Sequence, residues 1–305
     1  MAWKRAFVLW MLLLLVACRR PAYRQVSLQS PEPTAAPPVP SSLAPPPLRI
    51  AVAAILSPQR TLHVYNVLAA YLEERLNRPV EWFQQGTYAE TNELLRNRAV
   101  DLAFICTGAY VRGQNEFAVE LLVVPEIHGH TTYRSYIIVP ADSPTQRWED
   151  LRGKVFAFTD PLSLSGYMAP LYLLHSAGET PDRFFARTLF TYSHDSSIKA
   201  VAERWVDGAA VDHLVYEALR VQAPYYGQRT RVIWESEPFG TPPVVVPAAL
   251  DPDLKEPLRK IFLEMHTNPD GREVLALLGV DRFVPPDDRV YDSARRVVQT
   301  IRGQP

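Results

Sequence analysis

The sequence predicts an α/β protein built as two lobes joined by a double crossover. Three observations carry that expectation. Apolar runs of strand length alternate with segments of helical period, the 305 residues exceed what a single core usually organises, and proline and glycine gather where the alternation breaks. Residues 48–55 read as a strand, and in 61–77 Leu62, Tyr65, Leu68, Ala69 and Leu72 recur at helical spacing. A short strand at 80–83, a helix at 88–98, a buried strand at 100–105 and a helix opening at 107–113 follow. Such repetition implies a mostly parallel sheet covered by helices on both faces.

A second unit opens after a strand at 133–139. It reads as strand 154–158, helix 165–177, strand 188–192, helix 196–205, strand 208–211, helix 213–221 and strand 231–235. A strand at 243–247 and helices at 253–266, 271–278 and 288–302 then return to the first unit. The expected layout is therefore 48–139 for the first part of lobe 1, 140–240 for lobe 2, and 241–305 for the return. Crossings fall near 139–145 and 236–244, where Pro140, Pro144, Pro238, Gly240, Pro242 and Pro243 lie.

The start of the chain has a different character. Lys4 and Arg5 precede an apolar run at 6–17, too short to cross a hydrocarbon core of about 30 Å and shaped like an export signal. It ends Leu15-Val16-Ala17-Cys18, which resembles the bacterial lipoprotein signal, so 1–17 reads as a signal peptide and Cys18 as the lipidated residue. Residues 18–47 are dense in proline, serine and alanine and poor in large apolar side chains, the composition of a tether. The expectation is export to the periplasm or cell surface on a lipid anchor, with Cys106 the remaining thiol.

Composition excludes several classes. With 47% hydrophobic and 21% charged residues the chain is not disordered as a whole, and a net charge of -1 provides no field for nucleic acid. The two cysteines are too few for a disulfide scaffold or a thiolate zinc site, and His128-Gly129-His130 reads as a surface loop rather than a metal site. There is no Walker loop, dinucleotide fingerprint or Gly-x-Ser-x-Gly elbow, so no cofactor is expected. Ser165, His194 and Asp212 occur in a chain order that matches none of the familiar hydrolase triads, and an enzyme is not expected.

In open α/β sheets ligands sit beyond the carboxyl ends of strands, where helices begin. The most informative such end is Asp160-Pro161-Leu162-Ser163-Leu164-Ser165-Gly166-Tyr167, a strand passing through a small polar turn into a helix. Free N–H groups at the helix start, the macrodipole and the hydroxyls of Ser163 and Ser165 suit an anion, although serine at that place also serves as an N-cap. This segment resembles the Asp-Pro-x-Ser-Thr-Ser-Gly motif of the PhnD-like binding proteins for phosphonate, phosphite and phosphate in ABC importers. Further matches are the segment 193–201, Val206-Asp207-Gly208-Ala209-Ala210-Val211-Asp212, Tyr88 before Val100-Asp101-Leu102-Ala103-Phe104, and Tyr133; together the resemblance covers nearly all of 48–290.

The resemblance implies a two-lobed periplasmic-binding-protein type II fold with a double crossover hinge, a small oxyanion ligand, an ABC permease as partner and a monomeric state. It further implies that Ser163, Ser165, His194, Asp212, Tyr88 and Tyr133 hold the anion, with Thr107 and Cys106 at the facing helix start. Leu164 stands where the family has threonine, so one hydroxyl is lost while the backbone N–H remains. Each residue also has a purely structural reading: His194 and Asp212 as helix caps, Tyr88 and Tyr133 as core aromatics, Cys106 as an inert buried thiol. A helix start lowers a thiol pKa, and some relatives sense trivalent arsenic through a pocket cysteine and signal to a membrane histidine kinase; that is the alternative expectation for Cys106.

Overall fold

In the computed structural model, residues 45–302 are described, so the expectations for the signal peptide, Cys18 and the tether up to residue 44 lie outside the described residues. The chain runs through β1 (Leu48–Val52), α1 (Pro58–Leu76), β2 (Val80–Gln84), α2 (Tyr88–Arg96), β3 (Leu102–Phe104), α3 (Thr107–Glu116), β4 (Val119–Glu126) and β5 (Thr132–Tyr133). It continues through β6 (Ser135–Pro140), β7 (Val155–Phe158), a π-helical turn (Leu164–Met168) leading into α4 (Ala169–Ser176), β8 (Arg187–Phe190), α5 (His194–Ala202), β9 (Gly208–Asp212), α6 (His213–Gln222) and β10 (Thr230–Glu235). The last elements are β11 (Phe239–Gly240), β12 (Val244–Pro247), α7 (Pro252–Glu264), α8 (Pro269–Leu278), β13 (Arg282–Val284) and α9 (Asp292–Arg302).

Two sheets organise these elements. The first has the order β13-β4-β12-β3-β1-β2, the second β10-β6-β9-β7-β8. In the first, β1 pairs in parallel with β2 and β3, whereas β12 and β13 pair antiparallel with their neighbours. In the second, β7 pairs in parallel with β8 and β9, and β6 is antiparallel between β9 and β10. A separate antiparallel pair, β5 with β11, holds Tyr133 opposite Phe239 where the chain passes between the sheets. This is a two-lobed α/β architecture with a double crossover.

The first crossing lies earlier than residues 139–145. Ser135–Pro140 pairs with both β9 and β10, so it is an inner strand of the second sheet, and lobe 2 begins just after Tyr133. A buried apolar run is compatible with either sheet; the pairing partner decides, and it lies some seventy residues downstream. The strand Val119–Glu126, which sequence periodicity leaves unassigned, has its core positions buried and pairs with both β12 and β13.

Local chemistry sets the element boundaries. Helix α1 opens at Pro58 because proline is suited to a first helical position, and it closes at Asn77 in the left-handed conformation. Helix α2 starts with a capping box in which the Thr87 hydroxyl accepts from Glu90 N–H and the Glu90 carboxylate accepts from Thr87 N–H. The C-terminal helix α9 belongs to neither lobe alone. Ala294 and Val297 join one buried cluster with Ala109 and Tyr110 of α3 and with Leu164, Met168 and Ala169 of lobe 2. Among the described residues no helix is long and apolar enough to cross a membrane.

Candidate functional site

The site forms where strand ends of the two sheets face each other. Lobe 1 brings Tyr88 at the start of α2 and Cys106 and Thr107 at the start of α3; lobe 2 brings the turn 160–166, His194 at the start of α5 and Asp212 at the end of β9. Tyr133 comes from the crossing strand β5. All are buried.

The lobes are joined across this region by short bonds. Tyr88 N–H donates to Asp160 Oδ2 at 3.1 Å, and His194 N–H donates to Ile55 O at 3.0 Å. Ser57 donates to Asp195 twice, from its N–H at 2.9 Å and from its hydroxyl at 2.6 Å, and Arg60 pairs with the same carboxylate at 3.7 Å. Gly108 permits the closest approach: a Cβ there would collide with the backbone at Leu162 O and Leu164 N. The arrangement is a closed cleft.

Tyr88 Oη, Tyr133 Oη, Ser165 Oγ and His194 Nε2 are buried and have no hydrogen-bond partner within the protein. Leaving a buried polar atom unpaired costs roughly 1–3 kcal/mol, so gathering such atoms in one place from both lobes and the hinge requires a compensating partner. The tautomer of His194 is set by its surroundings. Its Nδ1 accepts the Asp212 N–H at 3.0 Å, which places the ring proton on Nε2, the unpaired atom. Burial lowers its pKa to about 3, so the ring is a neutral donor at physiological pH rather than the protonated one that would bind an anion most strongly.

Asp212 caps α6, its Oδ1 accepting from Leu214 N–H at 2.7 Å and Val215 N–H at 3.3 Å. Burial raises its carboxyl to about 7 against the pull of those two bonds. Burial also pushes the Tyr88 and Tyr133 phenols well up, reinforced by Cys106 and the nearby carboxylates, so both remain O–H donors. Among the described residues no lysine or arginine contributes to the shifts of His194 or Asp212. The site therefore offers neutral donors and one carboxyl poised near neutrality.

Several sequence expectations are corrected at atomic level. Ser163 lies in the turn, where its Oγ accepts from Gly166 N–H at 2.9 Å as the N-cap of the π turn, a role that leaves its O–H able to donate, while Ser165 Oγ has no partner at all. Leu164 N–H, expected to face an anion, points at the Cys106 sulfur together with Gly108 N–H. Those N–H groups do not make Cys106 a thiolate: burial pushes its pKa up to about 11, because desolvation outweighs the helix start. Thr107 donates from Oγ1 to Gly240 O at 2.8 Å and thereby ties α3 to the hinge strand. Asp160 and Asp195, quoted in the sequence motifs without an assigned role, emerge as interlobe fasteners; a carboxylate beside a facing helix start is the signal that could have identified them. His128 and His130 sit exposed at the tip of a hairpin turn.

Ser165, His194 and Asp212 are not arranged as a hydrolytic triad. Ser165 Oγ and His194 Nε2 make no bond to each other, and His194 Nδ1 accepts a backbone proton instead of donating one to a carboxylate. The fold is that of a two-lobed binding protein of the periplasmic type II class, and unpaired buried donors from both lobes lie at its hinge. The model of the family described as ABC transporter, phosphonate, periplasmic substrate-binding protein matches residues 50–291, and the chain belongs to that family.

Among its relatives, the phosphonates-binding periplasmic protein of Escherichia coli K12 is 27% identical over 225 residues, 71% of this chain and 65% of that protein. The phosphate-import protein PhnD of Mycolicibacterium smegmatis is 28% identical over 211 residues, 66% of either chain. The chain thus spans just under two thirds of these curated relatives. A binding protein component of an ABC phosphonate transporter from Pseudomonas aeruginosa superposes with a TM-score of 0.80 at 25% identity, covering 84% of this chain and 87% of that one. PhnD1 of Prochlorococcus marinus, solved with methylphosphonate, shares the fold with a TM-score of 0.77 at 17% identity, over 84% of this chain and 98% of its own.

Proposed function

We propose that this protein is exported, anchored through lipidated Cys18, and captures a phosphonate, phosphite or phosphate between its lobes for delivery to an ABC permease, acting as a monomer without a cofactor. The observation that carries the reading is the convergence of four unpaired buried polar atoms, Tyr88 Oη, Tyr133 Oη, Ser165 Oγ and His194 Nε2, from both lobes and the hinge. Hydrogen bonds to a charged acceptor are worth roughly 1.5–3 kcal/mol each, so these four donors suffice to hold an oxyanion without a cation. Asp212 adds selection: protonated, it donates to the ligand; ionised, it prefers a ligand that carries its own proton or an amine.

Closure is the working step. Neither lobe alone assembles the donors, so the ligand favours the state in which Tyr88 bonds Asp160 and Ser57 bonds Asp195. Burial pushes the Cys106 thiol up to about 11, which favours the protonated thiol, so the oxyanion reading is preferred over a sensor that needs a thiolate there. Titration calorimetry of the purified protein with phosphate, phosphite, methylphosphonate, aminoethylphosphonate and sulfate tests the reading. Binding of one of the phosphorus oxyanions, weakened at least tenfold by Ser165→Ala, supports it; no heat from any of them rejects it.

A further inference from the structure

The C-terminal helix α9 touches both lobes, and the two contacts differ in chemistry. Toward lobe 1 and the hinge it is tied by polar bonds. Arg295 Nη2 donates to Gln114 Oε1 of α3 at 2.8 Å, Arg302 pairs with Glu116 at 3.5 Å, Ser293 Oγ donates to Pro238 O at 3.0 Å and Arg296 pairs with Glu237 at 2.8 Å. Just before the helix, Tyr291 Oη donates to Thr241 O at 2.9 Å, and its ring lies so close to Gly240 that a Cβ there would strike it. Toward lobe 2 the helix presents apolar side chains. Ala294, Val297, Val298 and Ile301 recur at i, i+3, i+4 and i+7, and this stripe shares one cluster with Leu164, Met168 and Ala169, against which Tyr167 and Tyr172 pack. Ile301 also lines, together with Tyr167 and Leu171 of lobe 2, a pocket of about 290 Å³ at the end of the contact.

We propose that α9 is a strap that travels with lobe 1 and latches onto lobe 2 through Ile301 and the stripe behind it, holding the lobes together before any ligand arrives. Separating α9 from lobe 1 would break the bonds of Arg295, Ser293 and Arg296 together, whereas its apolar contact with lobe 2 is non-directional and parts without orphaning a donor. Opening therefore runs along the seam between α9 and α4. The latch raises the closed population of the free protein, and apparent affinity for any ligand that needs the closed state rises with that fraction. The inference concerns lobe movement and stands whether or not the ligand is an oxyanion.

Amide hydrogen exchange on the ligand-free full chain tests this. The Tyr88 N–H, bonded to Asp160, and the His194 N–H, bonded to Ile55 O, both bridge the lobes and report opening, while Val245 in β12 and Ala209 in β9 report the integrity of each lobe. Each buried methylene is worth about fourfold in an equilibrium, so Ile301→Ser should speed exchange at Tyr88 and His194 roughly tenfold, with Val245 and Ala209 unchanged. Tyr172→Ala, cut from the lobe 2 side of the same contact, should give the same pattern. If exchange rises only in α4 and α9 themselves, α9 is local packing and the proposal fails. Faster exchange at Val245 and Ala209 in both variants makes α9 part of the lobe cores and overturns it equally.

Discussion

The two sides of the candidate site are built differently. On the lobe 2 side the side chains are oriented from within their own lobe: the His194 ring by the Asp212 N–H, although its backbone N–H reaches Ile55 O, Asp212 by the first N–H groups of α6, and the Ser165 turn by the Ser163 cap and a bond from Ser135 Oγ to Ser165 O at 2.6 Å. The lobe 1 groups are placed across the gap instead. Tyr88 N–H bonds Asp160, and the Cys106 sulfur meets the Leu164 N–H. On the proposed oxyanion reading lobe 2 is therefore the more preorganised half-site and the one expected to engage the ligand first. On that reading the division predicts that affinity rests mainly on lobe 2 and residence time on lobe 1.

That asymmetry can be broken by measurement. His194→Ala removes a preorganised donor and should weaken oxyanion binding by about 30- to 100-fold in calorimetry; a loss smaller than that of Tyr88→Phe would reverse the assignment. Tyr88→Phe should cost about tenfold, appearing in stopped-flow as faster dissociation with the association rate preserved.

The pH dependence sharpens the role of Asp212. Its pKa is raised to about 7, and a bound dianion favours the protonated carboxyl, so binding takes up a proton and affinity falls by up to tenfold per unit as pH rises above 7. Asp212→Asn keeps the cap on α6 and should flatten this decline; a slope identical to that of the parent would remove Asp212 from the ligand's surroundings. The smallest effect belongs to the rim. Asp195→Asn weakens the fastening to Ser57 and Arg60 without touching the unpaired donors, and should speed dissociation about threefold at unchanged association.

Much of this molecule was legible along the chain. Strand–helix alternation and the polar turn at 160–166 predict the lobes, because burial and periodicity are local properties of sequence, whereas Tyr88, Tyr133, Ser165, His194 and Asp212 are grouped by the family resemblance. What the chain could not specify is how each polar atom is spent. Ser163 and Ser165 are the same residue two positions apart, yet one caps a turn and the other has no partner. The tautomer of His194, the protonated thiol of Cys106 and the place of Ser135–Pro140 as an inner strand of the second sheet were likewise decided by tertiary structure. Hydrogen-bond partners and desolvation depend on atoms delivered from distant segments, and those arrive only when the lobes pack and close.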